Sequence, residues 1–242
     1  PLGISFFTFH AISYLIDISR GELNGKSNVV NFLTYFFMFP HLIAGPIVRY
    51  KQVKDDLVER TYDQSLFSYG LYRFILGVNK KILIANSVAP IANMAFTYHV
   101  ASISTADAWL GAVAYMIQIY FDFSAYSDMA IGLAAMAGFR FSENFNQPYL
   151  STSIKDFWRR WHISLSSWLR DYVYIPLGGS RVPTYRIYFN LITVFFLCGL
   201  WHGANMTFVI WGLYNGLFLI LERLFLGDLL ARVPKLITHI YA

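Results

Sequence analysis

Charge is what this sequence has least of. Its 242 residues hold 19 lysines and arginines and 14 aspartates and glutamates, 14% charged in all, where an ordinary soluble domain carries roughly a quarter. With 56% of the residues hydrophobic and 19% aromatic, that deficit points to lipid as the solvent. Cysteine is nearly absent: the single Cys198 excludes an internal disulfide framework and any cysteine-rich metal site. His, Asp and Glu do not recur at zinc or iron spacing, and no Gly-rich phosphate loop follows a strand. Internal repeats and low-complexity tracts are missing as well. The chain opens at Pro1 inside an apolar run, without an initiator methionine or a basic leader. It therefore reads as one membrane-embedded domain over 1–242, truncated at both ends.

What is present is a series of apolar runs near the ~20 residues needed to cross ~30 Å of hydrocarbon. They cover about 1–18, 31–48, 66–96, 108–138 (room for two shorter segments), 187–201 and 204–226. That predicts six or seven crossings or part-crossings. Backbone polar groups in lipid must be satisfied within the segment, so these are helices and the fold class is all-α, a polytopic transmembrane helical bundle. The second run contains Phe39-Pro40-His41 and Ala44-Gly45-Pro46, two breaks within a few residues, and reads as re-entrant. The net charge of +5 lies between apolar segments, not on one soluble face, which argues for membrane topology and against nucleic acid. Positive-inside bias places the loops Arg49 to Arg60 and Lys155 to Arg186 in the cytosol.

Two stretches could carry chemistry. If Ser153 caps a helix running to about Tyr172, then Phe157, Trp161, Leu165 and Trp168 share an apolar stripe. Arg159, His162, Ser166 and Arg170 share another, where Ser166 would orient the His162 imidazole and the arginines would attract an anion. The plainer reading is an interfacial amphipathic helix with its arginines on lipid phosphates. His202, in Cys198-Gly199-Leu200-Trp201-His202-Gly203, sits between two apolar runs among small residues. An ionisable group near membrane depth is a candidate functional site, here a general base for a hydroxyl, against the alternative of a packing histidine. Cys198 lies four residues before His202 but reads as a packing thiol. Asp122 and Asp128 do not share one helix face and read as partners of cations or as caps of a broken helix. His10 and His41 read as structural.

Several of these stretches together resemble a known family. Phe39-Pro40 to Ala44-Gly45-Pro46-Ile47, Asp122-Phe123-Ser124 to Gly132, and Asn144 to Tyr149 are similar to segments of the membrane-bound O-acyltransferases. So are Phe157 to Ser166, Trp168 to Tyr172, Pro176-Leu177-Gly178-Gly179 and Leu200-Trp201-His202-Gly203. Within the family the resemblance is nearest the alginate O-acetyltransferase branch, favoured by Ser127-Asp128-Met129-Ala130. The D-alanine transfer protein of teichoic acid is a near relative. Cys198 stands where serine is expected and Ser180 where asparagine is usual.

The resemblance implies His202 as the catalytic residue and His162 as the second functional histidine. It implies a ring of helices around a funnel in which an acyl group from a cytosolic thioester meets an acceptor from the outer face. The expected donor is acetyl-CoA, with no bound cofactor or metal. Membrane lipid, a polysaccharide acceptor and periplasmic or extracellular acetyltransferase partners are the expected surroundings, in a bacterial inner membrane. Arg159, Arg160, Arg170, Ser166, Trp161, Asn146 and Asp128 are the expected substrate-binding residues. The competing classes are D-alanyl transfer by the same fold, a proton-coupled transporter using His202, Asp122 and Asp128, and a non-catalytic scaffold.

Overall fold

The structure is a computed structural model that describes residues 3–23, 28–60, 63–97 and 103–242. Among the described residues every regular element is helical, as the apolar runs predict. The elements are α1 (Ile4–Ser19), α2 (Val29–Phe36), α3 (Tyr50–Val58), α4 (Gln64–Asn79), α5 (Asn86–Thr97), α6 (Thr105–Met136), α7 (Ile154–Arg160), α8 (Ile163–Leu169), α9 (Thr184–His202), α10 (Met206–Leu221), α11 (Gly227–Leu230) and α12 (Lys235–Tyr241). The first two residues of the run at 1–18 lie outside the described residues.

Three helices among the described residues are long and apolar enough to cross a membrane: Gln64–Thr97, Thr184–His202 and Met206–Leu230, of 34, 19 and 25 residues. The first is α4 and α5 joined through a π-helical turn at Lys80–Ala85. The third is α10 and α11 joined through another at Glu222–Leu226. Of the six or seven crossings or part-crossings expected from the runs, these three have full spanning length and hydropathy, and the other runs fall on shorter, broken or less apolar helices. Helix α1 is apolar but has only 16 residues. The run at 108–138 is not two short segments but one 32-residue helix, α6, about 48 Å long at 1.5 Å per residue.

The run at 31–48 is broken, as its prolines predict. Helix α2 ends at Phe36 and a 3₁₀ turn spans Phe39–His41. Non-helical backbone follows to Arg49, with Gly45 in the left-handed region at φ 92°. Buried side chains hold this irregular stretch: the Tyr35 hydroxyl donates to the Val48 carbonyl (2.9 Å) and His41 Nε2–H donates to the Tyr35 carbonyl (2.9 Å). Such bonds satisfy backbone groups that a broken helix leaves open.

The chain divides into two compact units, residues 1–14 with 21–142, and residues 15–20 with 143–242. In the first, α4 and α6 cross at Gly70 and Gly132, where a Cβ on either glycine would lie 2.5–2.6 Å from the other's carbonyl oxygen. Small residues of this kind let membrane helices approach backbone to backbone. Close by, the buried Asp128 carboxylate of α6 receives Arg73 Nη2 (2.5 Å) and Lys80 Nζ (2.6 Å), and Asp122 receives Lys81 Nζ (2.7 Å). Both carboxylates thus pair with cations, as expected from their spacing. In the second unit α9 packs on α10, with Gly199 and Gly212 making the same close approach.

Removing one partner of a buried ion cluster leaves the others uncompensated, at a cost of about 3–5 kcal/mol. Asp128→Ala is therefore expected to lower the thermal unfolding midpoint in detergent far more than Asp122→Ala, whose ion pair is about 40% exposed on each side. Equal midpoints for the two variants would contradict this assignment.

Candidate active site

The second unit builds its site around a break in a helix. Ser153 caps α7 as the sequence predicts, its hydroxyl accepting from the Asp156 amide (3.0 Å). The Glu222 carboxylate also accepts from the Ile154 (2.6 Å) and Lys155 (3.1 Å) amides of the first turn. The helix does not run on to Tyr172. It stops at Arg160, Trp161 is extended, and His162 adopts the left-handed conformation with φ 43°.

A non-glycine residue there costs roughly 1–3 kcal/mol and persists only where its surroundings impose it. They do: the Asn146 amide donates to the Arg160 carbonyl and the Ile163 amide to the Asn144 carbonyl, both at 2.9 Å. The segment around Asn144 thus bonds to the chain on each side of Trp161-His162. Helix α8 resumes at Ile163, and a π-helical turn follows at Arg170–Tyr174. One continuous stripe of Arg159, His162, Ser166 and Arg170 is accordingly replaced by two short helices with a kink between them.

The kink drives His162 inward, to 1% exposure. Its Nδ1 lies 3.1 Å from Asn144 Oδ1, which also accepts from the Ser164 amide (3.2 Å) and the Ser164 hydroxyl (2.8 Å). The orienting hydroxyl is therefore Ser164, and Ser166 instead faces a cavity. Burial, with His202 nearby as a second cause, lowers the His162 pKa to about 3, so its imidazole is neutral at pH 7.

Helix α9 is continuous through Gly199 and ends at His202, followed by Gly203. Cys198 is buried and points into the same cavity as Ser166. The Trp201 ring packs near both histidines, 6.0 Å from His162 and 4.7 Å from His202 by ring centroids. Both histidines thus pack near Trp201, and His202 is close enough to His162 to act on its charge. His202 is exposed and packs edge-on against Trp211 at 4.9 Å. Trp211 in turn meets Trp158 at 5.8 Å, and Trp158 Nε1–H donates to Asn215 Oδ1 (3.2 Å).

Beside this cluster lie two adjoining cavities. The inner one, about 390 Å³, is lined by Trp158, Ile163, Leu165, Ser166, Val194, Phe195 and Cys198. The outer one, about 840 Å³, brings together Lys155, Arg159, Arg170, Arg223 and Lys235 against Glu222. Lys155, Arg159, Arg170 and Tyr174 line both. The histidines themselves do not line either cavity. Ile163, next to His162 in the chain, and Trp158, which meets Trp211 beside His202, line the smaller cavity.

The remaining expected ligand residues are placed differently. Arg160 pairs with Asp156 (3.0 Å) and the Asn146 carbonyl (3.4 Å). Arg170 pairs with Asp171 (2.6 Å) while still facing the cavities. Trp161 stacks on Phe157 (5.6 Å) and meets Phe145 edge-on (5.1 Å). Asn146 contributes backbone bonds, and Asp128 belongs to the ion cluster of the other unit. Sequence reasoning passed over Asn144, Ser164, Glu222, Arg223 and Lys235. Only Asn144 and Ser164 left a signal, as parts of the Asn144 to Tyr149 and Trp161 to Ser166 segments.

The described residues thus combine helices able to span a membrane, a buried imidazole near a second one, and a cavity lined by cations. The sequence model of the membrane-bound O-acyltransferase family matches residues 6–228, and the chain belongs to that family. It is 52% identical over its whole length to the probable alginate O-acetylase of Azotobacter vinelandii, of which it covers 48%. It is 38% identical to the peptidoglycan O-acetyltransferase of Helicobacter pylori, over 92% of this chain and 47% of that one. It is 32% identical to the teichoic acid D-alanyltransferase of Bacillus subtilis, over 90% of this chain and 58% of that one. The chain thus spans about half the length of the curated relatives it matches.

The burial of His162 makes stability depend on pH. Its folded pKa of about 3 lies below the ordinary ~6.5 of an unfolded chain, so between those values only the unfolded state binds the proton. The contribution is fully present above pH ~6.5 and is lost as pH falls toward 3, about 2 kcal/mol of it by pH 5. Thermal unfolding of wild type and His162→Gln at pH 7 and pH 5 is expected to show a steeper acid loss in the wild type. Parallel losses would contradict it.

Proposed function

We propose that the protein containing this chain is a membrane O-acetyltransferase. It would move an acetyl group from a cytosolic thioester, acetyl-CoA, toward a hydroxyl of an exopolysaccharide such as alginate, directly or through a periplasmic or extracellular acetyltransferase partner. The observation that carries the proposal is the pair of imidazoles near Trp201 beside a cavity with a cationic mouth and an apolar interior.

The chemistry follows from those parts. Lys155, Arg159 and Arg170 attract the phosphates of the donor, since a cleft lined by one sign of charge concentrates an anionic ligand. The apolar chamber takes the thioester arm. His202, the more accessible imidazole, serves as general base: it takes the proton of the acceptor hydroxyl as that oxygen bonds to the thioester carbonyl carbon. The C–S bond then breaks and the leaving thiolate regains a proton from the imidazolium. His162, neutral and buried, assists proton movement or holds the donor.

The high identity to alginate O-acetylases and the match to a peptidoglycan O-acetyltransferase support an acetyl group and a glycan acceptor over D-alanyl transfer.

The test is labelled acetyl transfer from acetyl-CoA in proteoliposomes of the full-length protein. His202→Ala is expected to lower kcat by about 10²–10⁴-fold, with His162→Ala also impaired. Arg159→Gln combined with Arg170→Gln is expected to raise KM for the donor several-fold, more so at low salt, with kcat nearly kept. Unimpaired transfer by His202→Ala, or a donor preference for a carrier-bound D-alanyl thioester, would contradict the proposal.

A further inference from the structure

The Asn144 amide settles which nitrogen of His162 carries the proton. A backbone N–H can only donate, and the Ser164 amide points at one terminal atom of Asn144 from 3.2 Å. That atom is therefore the carbonyl oxygen, Oδ1. The Ser164 hydroxyl, 2.8 Å from the same oxygen, donates to it as well. His162 Nδ1 lies 3.1 Å from this acceptor, and two lone pairs facing each other would repel, so Nδ1 bears the hydrogen.

Both partners are buried, His162 to 1% exposure. Asn144 is fully buried, and its own carbonyl accepts from the Ile163 amide at 2.9 Å, next to the left-handed His162. The backbone that forces the kink also sets the side-chain bond.

We infer that Asn144 is a positioning residue that locks His162 in its Nδ1–H tautomer, so that the lone pair sits on Nε2 and is the proton acceptor of this imidazole. The inference rests on the reading of His162 as part of an acyl-transfer site. It adds that the imidazole is prepared as a base before any ligand binds, by a neutral amide that orients it without stabilising the imidazolium as a carboxylate would.

The test uses full-length protein labelled with ¹⁵N-histidine in proteoliposomes, with His162→Gln to identify the signal by magnetic resonance. The wild type is expected to show a protonated Nδ1 and an unprotonated Nε2 at pH 7, and Asn144→Ala a shift toward the Nε2–H form.

In acetyl transfer, Asn144→Ala is expected to lose about 10²-fold or more in kcat, by analogy with triads left in the wrong tautomer, while KM for the donor changes less than about twofold. Asn144→Asp keeps an acceptor on Nδ1 but adds a charge. It should recover part of kcat and move the acid limb of the pH–rate profile upward by about a unit or more, because a carboxylate favours the imidazolium. A residue needed only for packing would give no such pH displacement.

An Nε2–H tautomer in the wild type overturns the inference whatever the activity. An Nδ1–H tautomer with normal transfer by His162→Ala leaves the lock standing and overturns the reading of His162 as part of the transfer site.

Discussion

The second unit depends on one device: a helix interrupted at Trp161-His162 and clamped on both sides by the backbone around Asn144. Without the bonds from the Asn146 amide to Arg160 and from the Ile163 amide to Asn144, α7 and α8 would merge. The clamp turns the histidine inward, fixes its orientation through the Asn144 side chain, and leaves Arg159 and Arg170 facing the cavities. A left-handed non-glycine residue is a cost the rest of the unit must offset, and such strain is kept where geometry has a use.

Charge is handled differently in the two units. In the first, Asp128 with Arg73 and Lys80, and Asp122 with Lys81, are matched cation to anion within long apolar helices. Pairing is what lets such residues remain in a membrane helix. In the second, Lys155, Arg159, Arg170, Arg223 and Lys235 outnumber the acids around one cavity. Glu222 caps α7 there and accepts the Tyr241 hydroxyl at 3.0 Å. An excess of fixed positive charge around a cavity is suited to an anionic ligand.

The helical class, the runs that became Thr184–His202 and Met206–Leu230, and the double break near Pro40 and Pro46 were all legible in the sequence, because length, hydropathy and proline act locally. The division of one run was not legible in this way. An apolar run at 108–138 does not reveal that a single helix, α6, continues through it.

The two histidines were legible from their surroundings in the chain, but their relation was not. The period of a helix assigned His162 to Ser166 and the arginine stripe. The actual partner, Asn144, is 18 residues away and reaches His162 only through a backbone clamp that no periodicity encodes. The closeness of His162 and His202 to Trp201 is likewise a tertiary fact.

The central claim is that the cation-lined cavity holds the donor with its thioester toward the two imidazoles. A cryo-EM structure of the full-length protein with a non-hydrolysable acetyl-CoA analogue tests it most directly. The account predicts phosphate density within hydrogen-bonding reach of Lys155, Arg159 or Arg170, and the acetyl group in the chamber beside Trp158 with Trp211 or Trp201 moved to admit it toward His202. An analogue bound with its acetyl group away from both His162 and His202 would contradict it.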